Sequence, residues 1–85
     1  MYKELQYAKK PSANLININN TIDRRWSDFF GKYGLDPNLL IVSEEEHREL
    51  KTDSLNYFYG SPSNIRYRGL QVKICKNSGI FVCMY

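Results

Sequence analysis

The chain has 85 residues, of which 42% are hydrophobic and 14% aromatic, a composition that excludes a wholly disordered protein. A chain of this length has room for one hydrophobic core, so we expect a single domain over residues 1–85. The net charge of +3 is smaller than the clustered basic excess typical of nucleic-acid-binding proteins. No apolar run approaches the roughly 18 residues of a membrane span, and no secretory signal is recognisable at the N-terminus. These features predict a soluble, cytoplasmic protein without a membrane partner.

The first twenty residues carry no single pattern. Residues 2–10 are compatible with a short helix that Pro11 would end. Ile16 and Ile18 alternate with asparagines, which fits an edge strand, but an extended linker fits equally well because asparagine is a poor strand former. We therefore predict a less ordered N-terminal arm over residues 1–20.

From Thr21 the apolar period changes to that of an amphipathic helix. This pattern predicts a helix at about residues 21–33, which Gly34 would end. Its large apolar groups should dominate the core, and they recur at steps of four, three, one and three: Ile22, Trp26, Phe29, Phe30 and Tyr33.

The middle of the chain predicts a strand, a helix and a loop. The uninterrupted apolar run Leu39–Val42 predicts a strand that is buried on both faces. Ser43 with Glu46 three residues later forms a capping box, which predicts a short helix at about residues 44–52 with Leu50 as its aliphatic anchor. Residues 53–64 are rich in turn formers and are expected to be a loop, although that loop would contain three consecutive aromatic residues.

The C-terminal residues predict a β-hairpin. Apolar and polar residues alternate over residues 70–75, and after the turn residues 77–79 an apolar segment runs to Tyr85. A three-residue loop would pair residues whose numbers sum to 156. One apolar face would then hold Leu70, Val72, Ile74, Ile80, Val82 and Met84. The expected fold class is thus α+β, with two helices on a small, mainly antiparallel sheet that ends in this hairpin.

The opposite face of this hairpin is also too apolar to be only solvated. It would carry Cys75, Phe81, Cys83 and Tyr85, and either the N-terminal segment or a partner is expected to cover it. Cys75 would lie diagonal to Cys83, at a spacing of about 7 to 8 Å that exceeds the usual range of a disulfide. Both cysteines are therefore expected to be free thiols in a reducing compartment.

The residue types give no indication of catalysis. One histidine and two cysteines fall short of the three or four convergent ligands of a metal site. His47 lies on a different element from both cysteines, so no nucleophile–base pair is expected, and the acidic residues 44–46 suit the positive end of a helix dipole. We expect no enzyme activity, no metal and no cofactor.

The segment 65–69 offers an interaction surface. Its two arginines, next to a tyrosine and close to the aromatic residues 57–59, have the chemistry that grips a phosphate backbone and stacks on bases. The alternative is that the arginines line the solvent face of a strand whose Tyr67 packs inward. Tyrosines and an unpaired sheet edge also suit a protein interface. The candidate residues are Tyr57, Tyr59, Arg66, Tyr67, Arg68, Phe81 and Tyr85.

The order of elements over residues 22–85 resembles a segment of tailed-phage shell proteins of the major-capsid type. The resemblance is carried by a helix, a buried strand, the capped helix, a loop, and the segment Arg68-Gly69-Leu70-Gln71-Val72 leading into the terminal strands. It implies a phage or mobile-element origin and a role in assembly or partner binding, and it transfers no catalytic residue.

Together these features predict a small non-enzymatic protein that binds a protein partner or associates with a second copy of itself. The alternative is a nucleic-acid-binding module that uses Arg66, Arg68, Lys73 and the nearby tyrosines.

Overall fold

The computed structural model describes residues 13–76 and 79–84. In this part of the chain two helices and five strands follow one another as α1 (Ala13–Tyr33), β1 (Leu39–Val42), α2 (Glu44–Leu50), β2 (Tyr57–Ser61), β3 (Asn64–Tyr67), β4 (Leu70–Ile74) and β5 (Phe81–Cys83). The strands form one sheet in the order β2-β3-β4-β1-β5. Only the β1–β4 pair is parallel, and the other three pairs are antiparallel. The predicted α+β class with a mainly antiparallel sheet is confirmed.

Helix α1 begins at Ala13, eight residues before the predicted start at Thr21. The expectation of a strand or linker over residues 14–20 is therefore wrong. Leu15, Ile18 and Ile22 are buried at helical steps of three and four, so the apolar stripe continues toward the N-terminus. Of the predicted arm, residues 13–20 belong to this helix, while residues 1–12, with the predicted helix at 2–10, lie outside the described residues.

The C-terminal half of α1 is less buried than its aromatic stripe predicts. Trp26 packs against the core from a partly buried position, but Phe30 and Tyr33 are 51% and 55% exposed. The core is instead dominated by aliphatic side chains from both helices and the sheet, together with Tyr67: Leu15, Ile18, Ile22, Leu40, Val42, Leu50, Ile65, Tyr67, Leu70, Val72 and Ile80.

Helix α2 is capped as the sequence predicts. The Ser43 hydroxyl accepts a hydrogen bond from the Glu46 amide at 3.3 Å, and the Glu46 carboxylate accepts one from the Ser43 amide at 2.8 Å. The helix ends at Leu50, slightly before the predicted boundary at residue 52. Leu50 is completely buried and is the anchor that the sequence indicates.

The predicted loop at residues 53–64 contains an additional strand. Strand β2 pairs with β3 in the antiparallel register Tyr57↔Tyr67, with an irregularity between Tyr59 and Ser61. The loop prediction failed because the strand is short and is bounded on both sides by turn residues.

A two-residue turn joins β3 to β4. Arg68 and Gly69 both have positive φ, 53° and 82°, as a type I′ hairpin turn requires, and Tyr67 pairs directly with Leu70. An odd-numbered residue therefore faces an even-numbered one. This pairing accounts for the change of apolar phase that the sequence places near Gly69.

The predicted C-terminal hairpin is the main correction to the topology. Strands β4 and β5 both form and run antiparallel to each other, but β1 lies between them: Leu40 pairs with Val72 on one side and with Val82 on the other. Direct pairing of β4 with β5 in the 156 register is wrong. The apolar strand β1 occupies an interior position of the sheet, as its burial on both faces predicts. Cys75 and Cys83 are free thiols, as predicted.

Candidate interaction surface

Tyr67 is a core residue that connects three parts of the chain. Its side chain has no solvent exposure. The hydroxyl donates a hydrogen bond to Asp53 Oδ2 at 2.6 Å and accepts one from Asn19 Nδ2 at 2.9 Å. Burial, followed by the hydrogen bond to Asp53, raises the pKa of Tyr67 to about 12. The inward packing of Tyr67 that one of the two alternatives expects is confirmed, and Tyr67 cannot contact a partner directly.

The neighbouring Asp53 is held ionised by its hydrogen bonds. Burial alone would raise its pKa, but the hydrogen bonds from Tyr67 and Asn56 outweigh burial, so the pKa of Asp53 is lowered. The Tyr67 hydroxyl therefore meets a carboxylate, which makes this a charge-assisted and comparatively strong hydrogen bond.

Arg68 is committed to contacts with helix α1. Its guanidinium forms an ion pair with Asp23 at 2.6 Å, donates to Asn19 Oδ1 at 3.2 Å and lies 5.9 Å from the centre of the Trp26 ring. The groove beside it is open to solvent, has a volume of about 350 Å³ and includes Phe30 in its lining. Arg68 thus secures the β3–β4 turn to the helix, which leaves it less available to a partner than the sequence suggests.

His47 on α2 holds the first residue of β2. Its Nε2 atom lies 2.9 Å from the Tyr57 hydroxyl, and the two rings are 5.6 Å apart. Burial, with a smaller effect of the Lys51 charge, lowers the pKa of His47. Burial, followed by the effect of Tyr59, raises the pKa of Tyr57. Both groups are therefore neutral near pH 7, when the imidazole can accept the tyrosine proton in a hydrogen bond.

Strand β2 forms one edge of the sheet and presents an aromatic surface. Residues 57–59, which we call the aromatic edge, read Tyr-Phe-Tyr; Phe58 and Tyr59 are 54% and 57% exposed, and Leu55 before them is 94% exposed. No residue of β2 is charged. The Phe58 ring lies against Gly60, where an added Cβ would come within 2.9 Å of it. The sequence shows all three aromatic residues, but the predicted surface names Tyr57 and Tyr59 and omits Phe58.

The face of the sheet opposite the core cluster, which we call the open face, carries a continuous cross-strand row. Pairing aligns one residue from each strand in the order Phe58, Arg66, Gln71, Leu39, Cys83. Arg66 and Phe58 are exposed at one end, whereas Leu39 near the centre is 8% exposed and lies outside the core cluster.

A second, shorter row on the open face places Lys73 beside Ile41 and Phe81. The Arg25 guanidinium lies 5.2 Å from the centre of the Phe81 ring. None of the five strands contains an acidic residue. The structure therefore places Arg66 and Phe81 of the predicted surface on one face, separate from Tyr57 and Tyr59, while Tyr85 lies outside the described residues.

Comparison with known proteins gave no match to a protein-family model, to a curated protein or to a solved structure. The resemblance to phage shell proteins therefore stays a prediction. Residues 13–76 and 79–84 hold no group of three or more histidine, cysteine or acidic side chains arranged to bind a metal ion. In the same part of the chain, no helix is long and apolar enough to cross a membrane.

We expect Tyr67→Phe to lower the free energy of unfolding by about 1–3 kcal/mol, because Asp53 and Asn19 lose their shared partner. Urea denaturation followed by circular dichroism measures this change. Tyr33→Phe removes a hydroxyl from an exposed tyrosine and should alter the free energy by less than about 0.5 kcal/mol. Equal effects of the two substitutions would contradict the role assigned to the Tyr67 hydroxyl.

We expect stability to fall as the pH is lowered from about 7.5 to about 5.5, because the folded-state pKa of His47 lies below its unfolded value and the unfolded chain then binds more protons. The urea midpoint at each pH reports this change. His47 is the only histidine, so His47→Gln should flatten the dependence across this window. A slope that persists in the variant would assign the effect to another group.

Proposed function

We propose that this chain is a small non-enzymatic module that binds a protein partner by adding a partner strand to the edge of β2. The observation that supports this proposal is the uncharged aromatic edge with its exposed Phe58 and Tyr59. An edge strand presents a row of backbone donors and acceptors to another chain. A phage or mobile-element origin, with a role in assembly, is part of the same proposal and rests on the sequence resemblance alone.

The two edges of the sheet differ in how they are protected. Natural edge strands are commonly blunted by a charged side chain, a proline or a covering element. Helix α1 contacts β5, and Arg25 lies over Phe81 on that strand, so the β5 edge has a charge and a neighbouring helix. Strand β2 has neither a charge nor a proline. This difference favours β2 as the edge that a partner uses.

The aromatic composition of β2 also favours protein binding. Tyrosine and phenylalanine provide large contact areas, and tyrosine adds a hydroxyl at low entropic cost. The hydrogen bond between His47 and Tyr57 fixes the start of the strand, so less conformational entropy would be lost on binding.

A photo-crosslinking amino acid in place of Tyr59 is expected to capture a protein in the cells that encode the chain, because a strand added to β2 would lie against this position. The same amino acid in place of Tyr33, an equally exposed aromatic residue on α1, should capture none. Capture is measured as a shifted band on a denaturing gel and identified by mass spectrometry.

A charge introduced at the edge tests the same contact by blocking strand addition. Tyr59→Lys should abolish the association that the crosslinker detects, since a lysine on an edge strand opposes strand addition, whereas Tyr33→Lys should leave it unchanged. Equal capture from positions 59 and 33 would overturn the assignment of β2.

A second candidate function, binding of single-stranded nucleic acid, is supported by the open face. Among the described strand residues, Arg66 and Lys73 are the charged ones on this face, and both are exposed, while Phe58 and Phe81 provide exposed rings for stacking. Arg68, which the sequence includes in this surface, is engaged by Asp23, so Lys73 is the better companion of Arg66.

For this second function we expect a gel shift with a single-stranded oligonucleotide at about 50 mM salt that weakens strongly at about 200 mM. The double substitution of Arg66 and Lys73 by alanine should abolish it, because both phosphate contacts are lost. Alanine at the exposed Arg24 and Lys32 of α1 removes the same charge elsewhere and serves as the control. Absence of a shift at the lower salt would eliminate the candidate.

A further inference from the structure

We infer that the partner strand at the aromatic edge is β2 of a second copy of this chain, in an antiparallel pair whose two-fold axis passes beside Phe58. The inference rests on the proposed use of β2 and specifies its occupant. The two copies would join their sheets edge to edge into a single sheet of ten strands, twice the five described.

The sequence of the aromatic edge matches itself. A two-fold axis that relates antiparallel strands is perpendicular to the sheet, so paired residues must lie on the same face. Residues 57–59 read the same in both directions, Tyr-Phe-Tyr. With Phe58 opposite Phe58 of the second copy, each Tyr57 faces a Tyr59. All three cross-strand pairs are then aromatic, a favourable class of pair.

The direction of the backbone groups supports this register. The Arg68 amide donates to the Asn56 carbonyl at 3.0 Å, so the backbone N–H and C=O of Asn56 point toward β3. The direction of the backbone N–H and C=O groups alternates along a strand. The backbone groups of Phe58 therefore also point toward β3, while those of Tyr57 and Tyr59 point away from the sheet. The Tyr57 amide already donates a hydrogen bond to the Asp53 carbonyl. Two hydrogen bonds are therefore available across the pair, each from a Tyr59 amide to the Tyr57 carbonyl of the other copy.

The charges also permit self-pairing. Each chain has a net charge of +3, but β2 has none, and the nearest charge in its cross-strand row is Arg66. The two Arg66 residues would be separated by three strand spacings, about 14 Å. That separation exceeds the Debye length of about 8 Å at physiological salt, so repulsion across the junction is largely screened.

The size of the contact indicates a weak dimer. Phe58 and Tyr59 are about half exposed and can each bury roughly 100 Å², with Leu55 adding a similar area. The sum is well below the roughly 800 Å² per partner of a standard stable interface. The dimer should therefore form in the micromolar to millimolar range and not at nanomolar concentration.

Sedimentation of the full chain over about 10 μM to 1 mM should show a reversible shift from monomer to dimer. Phe58→Lys and Phe58→Glu should each remain monomeric, because equal charges would be carried by two residues whose Cα atoms lie about 4.5 Å apart at the two-fold axis. An equimolar mixture of these two variants should associate about tenfold more tightly than either alone. Far-UV circular dichroism checks that both variants fold.

The controls are Phe30→Lys and Phe30→Glu, at a residue of α1 that is 51% exposed. Both variants keep Phe58 and should still form the dimer. A full chain that stays monomeric at about 1 mM, or a mixture no tighter than its components, would overturn the inference. If the photo-crosslinking amino acid at position 59 captures a different protein, the proposed function survives and only a second copy of this chain is eliminated as the partner. If this amino acid captures no protein, the proposed function and the inferred self-pairing both fail.

Discussion

The hydroxyl of Tyr67 is the point on which the arrangement of this chain depends. It bonds Asn19 of helix α1 and Asp53 of the turn before β2, while its strand lies between β2 and β4. Helix, turn and sheet are therefore positioned by one buried polar group, which is satisfied on both its donor and acceptor sides. Such a group specifies one arrangement, since any shift that separates the partners leaves buried polar atoms unpaired.

The same part of the structure also fixes the position of the aromatic edge, which lies at the accessible end of the sheet. Tyr57 pairs with Tyr67 through the sheet and is held by His47 through its hydroxyl, so β2 is fixed from its inner side and from the helix face. Its outer side lacks any such contact with a further strand among the described residues. Rigidity on one side and open backbone groups on the other are the properties that allow strand addition at low entropic cost.

The parts of the fold that could be predicted from the sequence are those specified by local physics. The capping box of Ser43 and Glu46 and the apolar run Leu39–Val42 each indicate one structure whatever surrounds them. The predicted start of helix α1 lies too late in the chain because asparagines separate the apolar residues of its N-terminal part, and asparagine has low helix propensity. Burial of Leu15 and Ile18 against the sheet outweighs that preference, and this tertiary contribution is not visible in a local window.

The topology could not be predicted for a different reason. Alternation of apolar residues specifies which face a strand buries, but it does not specify which strand lies beside it. Val72 and Val82 point to the same face whether their strands pair directly or through β1. The same limitation applies to the candidate surface, because residues 65–69 look like one basic segment. The turn at Arg68 sends one arginine to helix α1 and leaves Arg66 on the open face.

The two candidate functions share Phe58, and this has a thermodynamic consequence. Phe58 belongs to the aromatic edge and also ends the cross-strand row that contains Arg66. If two copies pair through β2, the rows of both open faces become continuous, and the basic residues of both chains lie along one surface without an acidic strand residue between them. A polyanion that binds across this junction would contact both copies and would favour the dimer, and the dimer would favour the polyanion by the same factor. Self-association and nucleic-acid binding would then strengthen each other, with Phe58 as the side chain that belongs to both surfaces.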